Sequence, residues 1–299
     1  MGPAGRLSRD AATPIAGVSE RLGVPVPTIR SWERRYGFPA PRRTRGRHRR
    51  YDEREIEQLR DLRDLITKGI PPSEAARRLR SRGEGRAGEA LADGLIRAVL
   101  VFDGGTVESS LDRAAAEMGV DEAIRSALLP AMHEIGARWK AGSCDIGHEH
   151  FATEVVRAWL SRRATSFPVS TRRPPIVLAC GPRDLHTIGL EAFAVVLASR
   201  AWPTRILGAM TPTEALVATV RTVRARAAVV TAQRSVTRKA AVASIEAVAA
   251  IPGVRAFYAG DGFASPSVRE RLPGVFLGDD VVAGADRLEG ERAEQPRRP

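Results

Sequence analysis

The residues of this chain best suited to chemistry are an aspartate and a histidine set two apart in Asp184-Leu185-His186-Thr187-Ile188-Gly189. A carboxylate at that spacing can accept a hydrogen bond from one imidazole nitrogen. That fixes the tautomer and makes the other nitrogen a better metal donor. A second group, His148-Glu149-His150, has metal-binding residue types but lacks the His-Glu-x-x-His spacing of a helical zinc site. Glu149 there is equally at home as an acid in the first turn of a helix. The third feature is cationic. Six arginines fall between positions 42 and 50, where guanidinium groups would contact phosphates or reach into a groove.

Each group needs elements that hold it. The apolar run Ile176–Cys180 reads as a buried strand and Leu190–Arg200 as a helix, so Asp184 and His186 occupy the loop at a strand's carboxyl end. In open α/β sheets ligands bind there. Gly189 is expected to let the following helix approach closely. Strands at Thr204–Leu207, Ala227–Thr231, Arg255–Ala259 and Val275–Leu277 alternate with helices at Thr213–Arg224, Thr237–Ala250 and Ser265–Arg271. That alternation implies a Rossmann-like parallel sheet over residues 174–288. Cys180, closing the first strand, reads as a small core residue. Residues 289–299 read as a disordered tail.

Upstream, residues 90–168 read as a four-helix bundle: Ala90–Val101, Val107–Met118, Asp121–Lys140 with Pro130 placed to kink it, and Ile146–Arg163. Residues 10–82 read as a winged helix-turn-helix. Pro14–Val24 and Pro27–Tyr36 form two short helices around Gly23, and the arginine run forms a hairpin turning at Gly46. A helix from Asp52 to Gly69 follows, then one over Glu74–Arg80 capped by Ser73. In a helix-turn-helix the second helix enters the major groove. Arg30, Arg34 and Arg35 then face bases or phosphates, while Trp32 packs inside. The charge agrees: residues 1–82 hold 20 Lys/Arg against 10 Asp/Glu, and the rest of the chain holds 27 against 25. The excess of positive charge is the footprint of a nucleic-acid binder joined to a nearly neutral body, and the helix-turn-helix makes double-stranded DNA the expected partner. Ser81–Gly88 has the composition of a flexible linker, residues 83–89, with no long helix after the DNA-binding domain. The fold class is therefore multidomain, α and α/β.

Three stretches carry a resemblance. Ile29-Arg30-Ser31-Trp32-Glu33-Arg34-Arg35-Tyr36-Gly37, Arg43-Thr44 and His48-Arg49-Arg50-Tyr51 resemble the winged-helix domain of the MerR family. Asp184-x-His186-x-x-Gly189 resembles the signature of cobalamin-binding domains, where the histidine replaces the cofactor's own base as lower axial ligand of cobalt. Trp139, nine residues, then Glu149-His150 resembles the helical cap of the light-dependent cobalamin repressors, the CarH/LitR group. That group has these three domains in this order.

The resemblance implies adenosylcobalamin as cofactor and His186 as the cobalt ligand. It places Trp139 over the upper face of the corrin, with Glu149 and His150 lining the same cavity. Thr231 or Ser235, with Gly260 and Gly262, would enclose the nucleotide tail. Thr28, Arg30, Arg34, Arg35, Tyr36, Arg43, Thr44, Arg47, His48, Arg49, Arg50 and Tyr51 would meet DNA at an inverted repeat. A homo-oligomer, dimer or tetramer, would repress in the dark and dissociate in light. Three positions depart from the pattern. Lys140 follows the tryptophan where light-sensing members have a histidine, and a protonated amine is a poor metal ligand. Arg234 stands near the expected leucine. Asp261 separates Gly260 from Gly262.

A cobalamin-independent regulator, gated by another ligand or a partner protein, is the alternative these departures motivate. A corrinoid carrier subunit of an enzyme has no use for an arginine-rich winged helix, so the chain is expected not to be an enzyme. With two distant cysteines, no apolar run of membrane-spanning length and no signal segment, a cytoplasmic protein without a membrane partner is expected.

Overall fold

The computed structural model describes residues 13–36, 39, 42–43 and 49–293. The chain divides into two compact units between Ala87 and Gly88.

In the first unit, β1 (Thr13–Pro14) leads into α1 (Ile15–Leu22), which stops at Gly23 in the left-handed region, φ 63°. After a turn comes α2 (Val26–Tyr36). Strands β2 (Arg42–Arg43) and β3 (Arg49–Tyr51) pair antiparallel, Arg42 opposite Arg50, and β1 adds to the other side of β3. The expected turn at Gly46 lies outside the described residues. Helix α3 (Glu53–Thr67) opens on a reciprocal cap: Asp52 Oδ1 accepts from Glu55 N–H and Glu55 Oε2 from Asp52 N–H. Val18, Ile29, Trp32, Tyr51, Ile56, Leu59 and Leu62 close one apolar core. Trp32 packs inside, as expected.

Helix α4 runs Pro72–Leu100, 29 residues, and corrects three expectations. Pro72 opens it, the position where a missing N–H costs nothing, so Ser73 lies within the first turn rather than capping it. The expected linker at 83–89 is helical, and a long helix does follow the DNA-binding segment. Isolated glycines tax a helix by only about 1 kcal/mol each. One of them is put to use: a Cβ on buried Gly88 would stand 2.5 Å from Ser126 Cβ and 2.7 Å from Ser126 O, so only glycine permits this approach.

In the second unit α4 is followed by α5 (Gly104–Met118), α6 (Val120–Ala123), a π-helical turn (Ile124–Leu128), α7 (Leu129–Lys140) and α8 (Ile146–Ser166). The expected kink at Pro130 takes the form of that π turn. Pro130 cannot donate to Ser126 and its ring crowds that carbonyl; the helix widens just before it, with Leu129 N–H bonding to Ile124 O.

The sheet is parallel, ordered β5-β4-β6-β7-β8: β4 Ile176–Cys180, β5 Thr204–Gly208, β6 Ala227–Thr231, β7 Arg255–Ala259, β8 Val275–Phe276. Helices α9 (Ile188–Ser199), α10 (Thr213–Thr222), α11 (Ser235–Ala249) and the short α12 (Pro266–Arg269) connect its strands. β4 and β6 are buried at every residue, the pattern of strands covered on both faces. The core is continuous from the helices to the sheet: Leu111, Leu128, Ile135 and Trp159 belong to the same cluster as Leu178, Phe193 and Val229.

The expected tail beginning at 289 is also corrected. Helix α13 spans Val281–Ala293. Ala285 and Leu288 are buried, Trp202 Nε1–H donates to Glu289 Oε1 at 2.7 Å, and Arg255 pairs with Glu291. Its charged outer face hides this apolar stripe in the sequence. Residues 294–299 lie outside the described residues. No helix among the described residues is long and apolar enough to cross a membrane.

Candidate functional site

The strand order reverses at β4: its chain continues to β5 on one side, and β6 lies on the other. The crevice at the carboxyl ends of β4 and β6 is therefore the topological switch point, where open sheets bind ligands. The Asp184–His186 loop leaves from one side of it.

Asp184 is fully buried and saturated. Its Oδ1 accepts from the His186 backbone N–H at 3.0 Å and lies 2.8 Å from His186 Nδ1. A carboxylate only accepts, so Nδ1 carries the proton. Oδ2 accepts from Gln233 N–H at 2.6 Å and from Thr237 Oγ1 at 3.4 Å. Burial alone would raise this carboxyl; the bonds from the His186 ring, the His186 N–H and the Gln233 N–H outweigh it and hold the group below its ordinary value. The imidazole is thus pinned through Nδ1 on a side chain that remains 54% exposed, and Nε2 is turned to whatever binds. Gln233 and Thr237 were missed in the sequence. Nothing local signals them, because the loop after β6 meets the loop after β4 only through the sheet order.

Cys180, at the end of β4, is buried and its thiol, pushed by that burial up to about 11, donates to His186 O at 3.5 Å. It is the core residue expected. Thr231 Oγ1 is buried beside that thiol with no hydrogen bond of ordinary geometry. Ser235 is the exposed first residue of α11. Gly260, at φ 103°, and Gly262 are required by packing: a Cβ on either would meet Ala232 O, at 2.5 and 2.8 Å. Gly189 does not permit a close helix approach. The nearest atom to a Cβ there would be Gln233 Nε2 at 3.7 Å, an ordinary contact.

Three large apolar side chains stand exposed around this loop: Leu185 at 65%, Met210 at 55% and Val236 at 76%. Leu185 separates Asp184 from His186, Met210 N–H bonds Asp184 O at 2.8 Å, and Val236 adjoins Thr237. Exposed apolar side chains beside an exposed imidazole are the composition of a ligand-binding surface.

In the helical part, Trp139 ends α7 43% exposed, next to exposed Lys140. Asp145 caps α8 by accepting from Gly147 N–H, and its own N–H donates to His148 Nδ1 at 3.2 Å. The His148 ring stacks on Phe102 with centroids 4.5 Å apart. Glu149 accepts from Thr153 Oγ1 at 3.2 Å, and His150 is 73% exposed, 3.8 Å from Glu149. His148 therefore has a structural post, and among the described residues no three His, Cys, Asp or Glu side chains form a metal cluster.

In the first unit Arg30, Arg34 and Arg35 are exposed on α2, with Thr28 and Tyr36 half-buried. Arg50 is exposed on β3. Arg49 Nε pairs with Glu33 Oε2 at 2.5 Å, and the Tyr51 hydroxyl donates to Glu33 Oε1. Tyr51 is wholly buried, its phenol pushed above the ordinary range by burial and then by Glu33. Tyr51 therefore cannot touch DNA; with Arg49 it fastens the hairpin to α2. Arg43 lies in β2, and Thr44, Arg47 and His48 lie outside the described residues.

Residues 14–82 match the MerR HTH family regulatory protein model and residues 91–163 match the B12 binding domain model. Over 213 residues the chain is 32% identical to the HTH-type transcriptional repressor CarH of Myxococcus xanthus, spanning 66% of this chain and 71% of that one. The chain belongs to the MerR-type transcriptional regulators that carry a B12-binding domain. The HTH-type transcriptional repressor CarA of the same organism is likewise 32% identical, over 68% of this chain and 70% of its own. In fold, the monomethylamine corrinoid protein of Methanosarcina barkeri aligns with a TM-score of 0.56, at 13% identity, over 68% of this chain and 99% of its own. Membership in this family makes the exposed arginines of α2 part of a DNA-binding module and the chain a regulator rather than an enzyme.

Proposed function

We propose that adenosylcobalamin binds over the carboxyl edge of the sheet and controls DNA binding by the amino-terminal winged helix through the oligomeric state. The observation that carries this is the Asp184–His186 pair, a buried, fully bonded carboxylate holding a half-exposed imidazole by one nitrogen. The residues fit a corrinoid. Nε2 of His186 would serve as lower ligand to cobalt and the rim of Leu185, Met210 and Val236 would take an apolar macrocycle, while Gly260 and Gly262 let the loop after β7 pack directly on Ala232 O. Thr231 is the better of the two hydroxyl candidates, since its oxygen lacks a bond and Ser235 faces outward.

When bound, the cofactor supplies a light-labile cobalt–carbon bond. Trp139, Glu149 and His150 form the cap over its upper face. Residues 90–168 act as a four-helix bundle that this cap belongs to, and a ligand with different affinity for two assemblies shifts their balance by that difference. The DNA target is an inverted repeat, read by a dimer or tetramer through Arg30, Arg34, Arg35 and the hairpin, in the cytoplasm. Lys140 favours a second reading: a cofactor sensor in which no side chain captures cobalt after light.

The test is an absorbance titration with adenosylcobalamin in the dark, then illumination, with size-exclusion chromatography of both samples. A bound spectrum and a light-dependent change of assembly is the expected result. A bound spectrum with unchanged assembly selects the second reading, and no binding overturns both. His186→Ala is expected to weaken binding by roughly tenfold or more, since losing even a residue that orients a metal ligand has that effect.

A further inference from the structure

With His186 as lower ligand, the cofactor's own base must leave cobalt, and that base with its nucleotide loop needs room below the corrin. In this sheet the room is the switch-point crevice between the loops after β4 and β6. Gly189, in the first turn of α9, stands on one side of it and Gly260, after β7, on the other.

Gln233 reaches from one to the other. Its backbone is anchored separately, by the N–H donated to Asp184 Oδ2. Its side-chain Oε1 accepts from Asp261 N–H at 3.3 Å and lies 3.3 Å from where a Cβ on Gly260 would stand. Its Nε2 lies 3.7 Å from the Cβ position of Gly189. One primary amide therefore lies across the gap between the two backbones, within contact distance of both glycines. Among the described residues a single long hydrogen bond holds it there, and rotating the side chain away leaves the Asp184–His186 arrangement untouched, because that depends on the Gln233 backbone.

We propose that Gln233 is a swinging bar across the crevice. It must rotate out before the nucleotide part of cobalamin enters, and so it sets how fast the site loads and how it ranks corrinoids with and without that part. This rests on the reading of His186 given above. It predicts a difference between two ligands: adenosylcobalamin, and adenosylcobinamide, which lacks the nucleotide and leaves the bar in place.

The experiment is stopped-flow absorbance in the dark on the full chain, comparing wild type, Gln233→Ala and Gln233→Met with both corrinoids, the variants matched to wild type in circular dichroism and thermal midpoint. The association rate of adenosylcobalamin is expected to rise roughly fivefold or more in Gln233→Ala, the factor one net hydrogen bond represents. Gln233→Met, which keeps the length without the bond, should fall between. Adenosylcobinamide should bind all three alike. Binding of adenosylcobalamin by Gln233→Ala alone, with wild type loading adenosylcobinamide only, also supports the bar. Unchanged rates for both corrinoids, or equal acceleration of both, overturn it while leaving the His186 reading intact. If no form binds either corrinoid, that reading falls and the bar with it.

Discussion

Arg157 on α8 holds Thr187, the residue directly after His186: its Nη2 donates to Thr187 Oγ1 at 3.2 Å while its Nε lies 3.3 Å from Glu191 Oε1. Glu149 and His150 lie at the fourth and fifth positions of α8. One guanidinium thus joins the helix that carries Glu149 and His150 to the loop that carries His186, giving displacement at either end a stiff route to the other.

Arg157→Ala is expected to leave corrinoid affinity near that of wild type and to blunt the proposed cofactor-dependent change in assembly. The side chain is 40% exposed, so its pairs are screened and the loss of stability should stay under about 1 kcal/mol. Spectral titration paired with light scattering separates the two effects; an unaltered assembly response would remove Arg157 from the route.

Asp184→Asn should destabilise the second unit by about 1–3 kcal/mol, because one oxygen that accepts buried N–H groups becomes a donor facing donors. The pH dependence has a definite sign. The folded carboxyl is held below its unfolded value, so its contribution is complete above the unfolded carboxyl's pKa and disappears as pH falls through the folded one. Urea melts from pH 7 down to pH 3 should show this acid-side loss in wild type, and a shallower one in the variant.

Arg34→Ala should weaken binding to specific and unrelated duplexes to a similar degree and lower the slope of log K against log salt by about one, the signature of a lost phosphate contact. Loss of affinity for the specific operator only, with an unchanged slope, would assign Arg34 to base reading instead.

Gly88→Ala should cost about 1–3 kcal/mol from overpacking against Ser126, even though alanine is the better helix former. Thermal denaturation decides between the two effects; a stabilised variant would show that α4 can shift away from the π turn.

The parts legible in the sequence were those whose causes are local. The Asp184–His186 pair needs only a two-residue spacing, and β4 and β6 announce themselves as uninterrupted apolar runs. What escaped notice depends on contacts between distant segments. Gln233 and Thr237 reach Asp184 across 49 and 53 residues. Tyr51 looked like a DNA contact beside its arginines until Glu33, 18 residues away, claimed its hydroxyl. The glycines at 83–88 have linker composition, and only Ser126 on another helix explains why one of them is buried. In α13 the apolar stripe is short and framed by charges whose partners, Arg200, Trp202 and Arg255, lie 36 to 89 residues back.

Among the four tryptophans, Trp32, Trp159 and Trp202 are at most 8% exposed, and Trp139 is 43% exposed. Optically the protein is therefore one water-contacting indole against three sheltered ones. Excitation at the red edge of the absorption band, with iodide as quencher, reads the end of α7 almost alone. A ligand settling against Trp139 should register as lost quenching and a blue shift from that single residue, so the chain carries its own gauge of whether anything covers it.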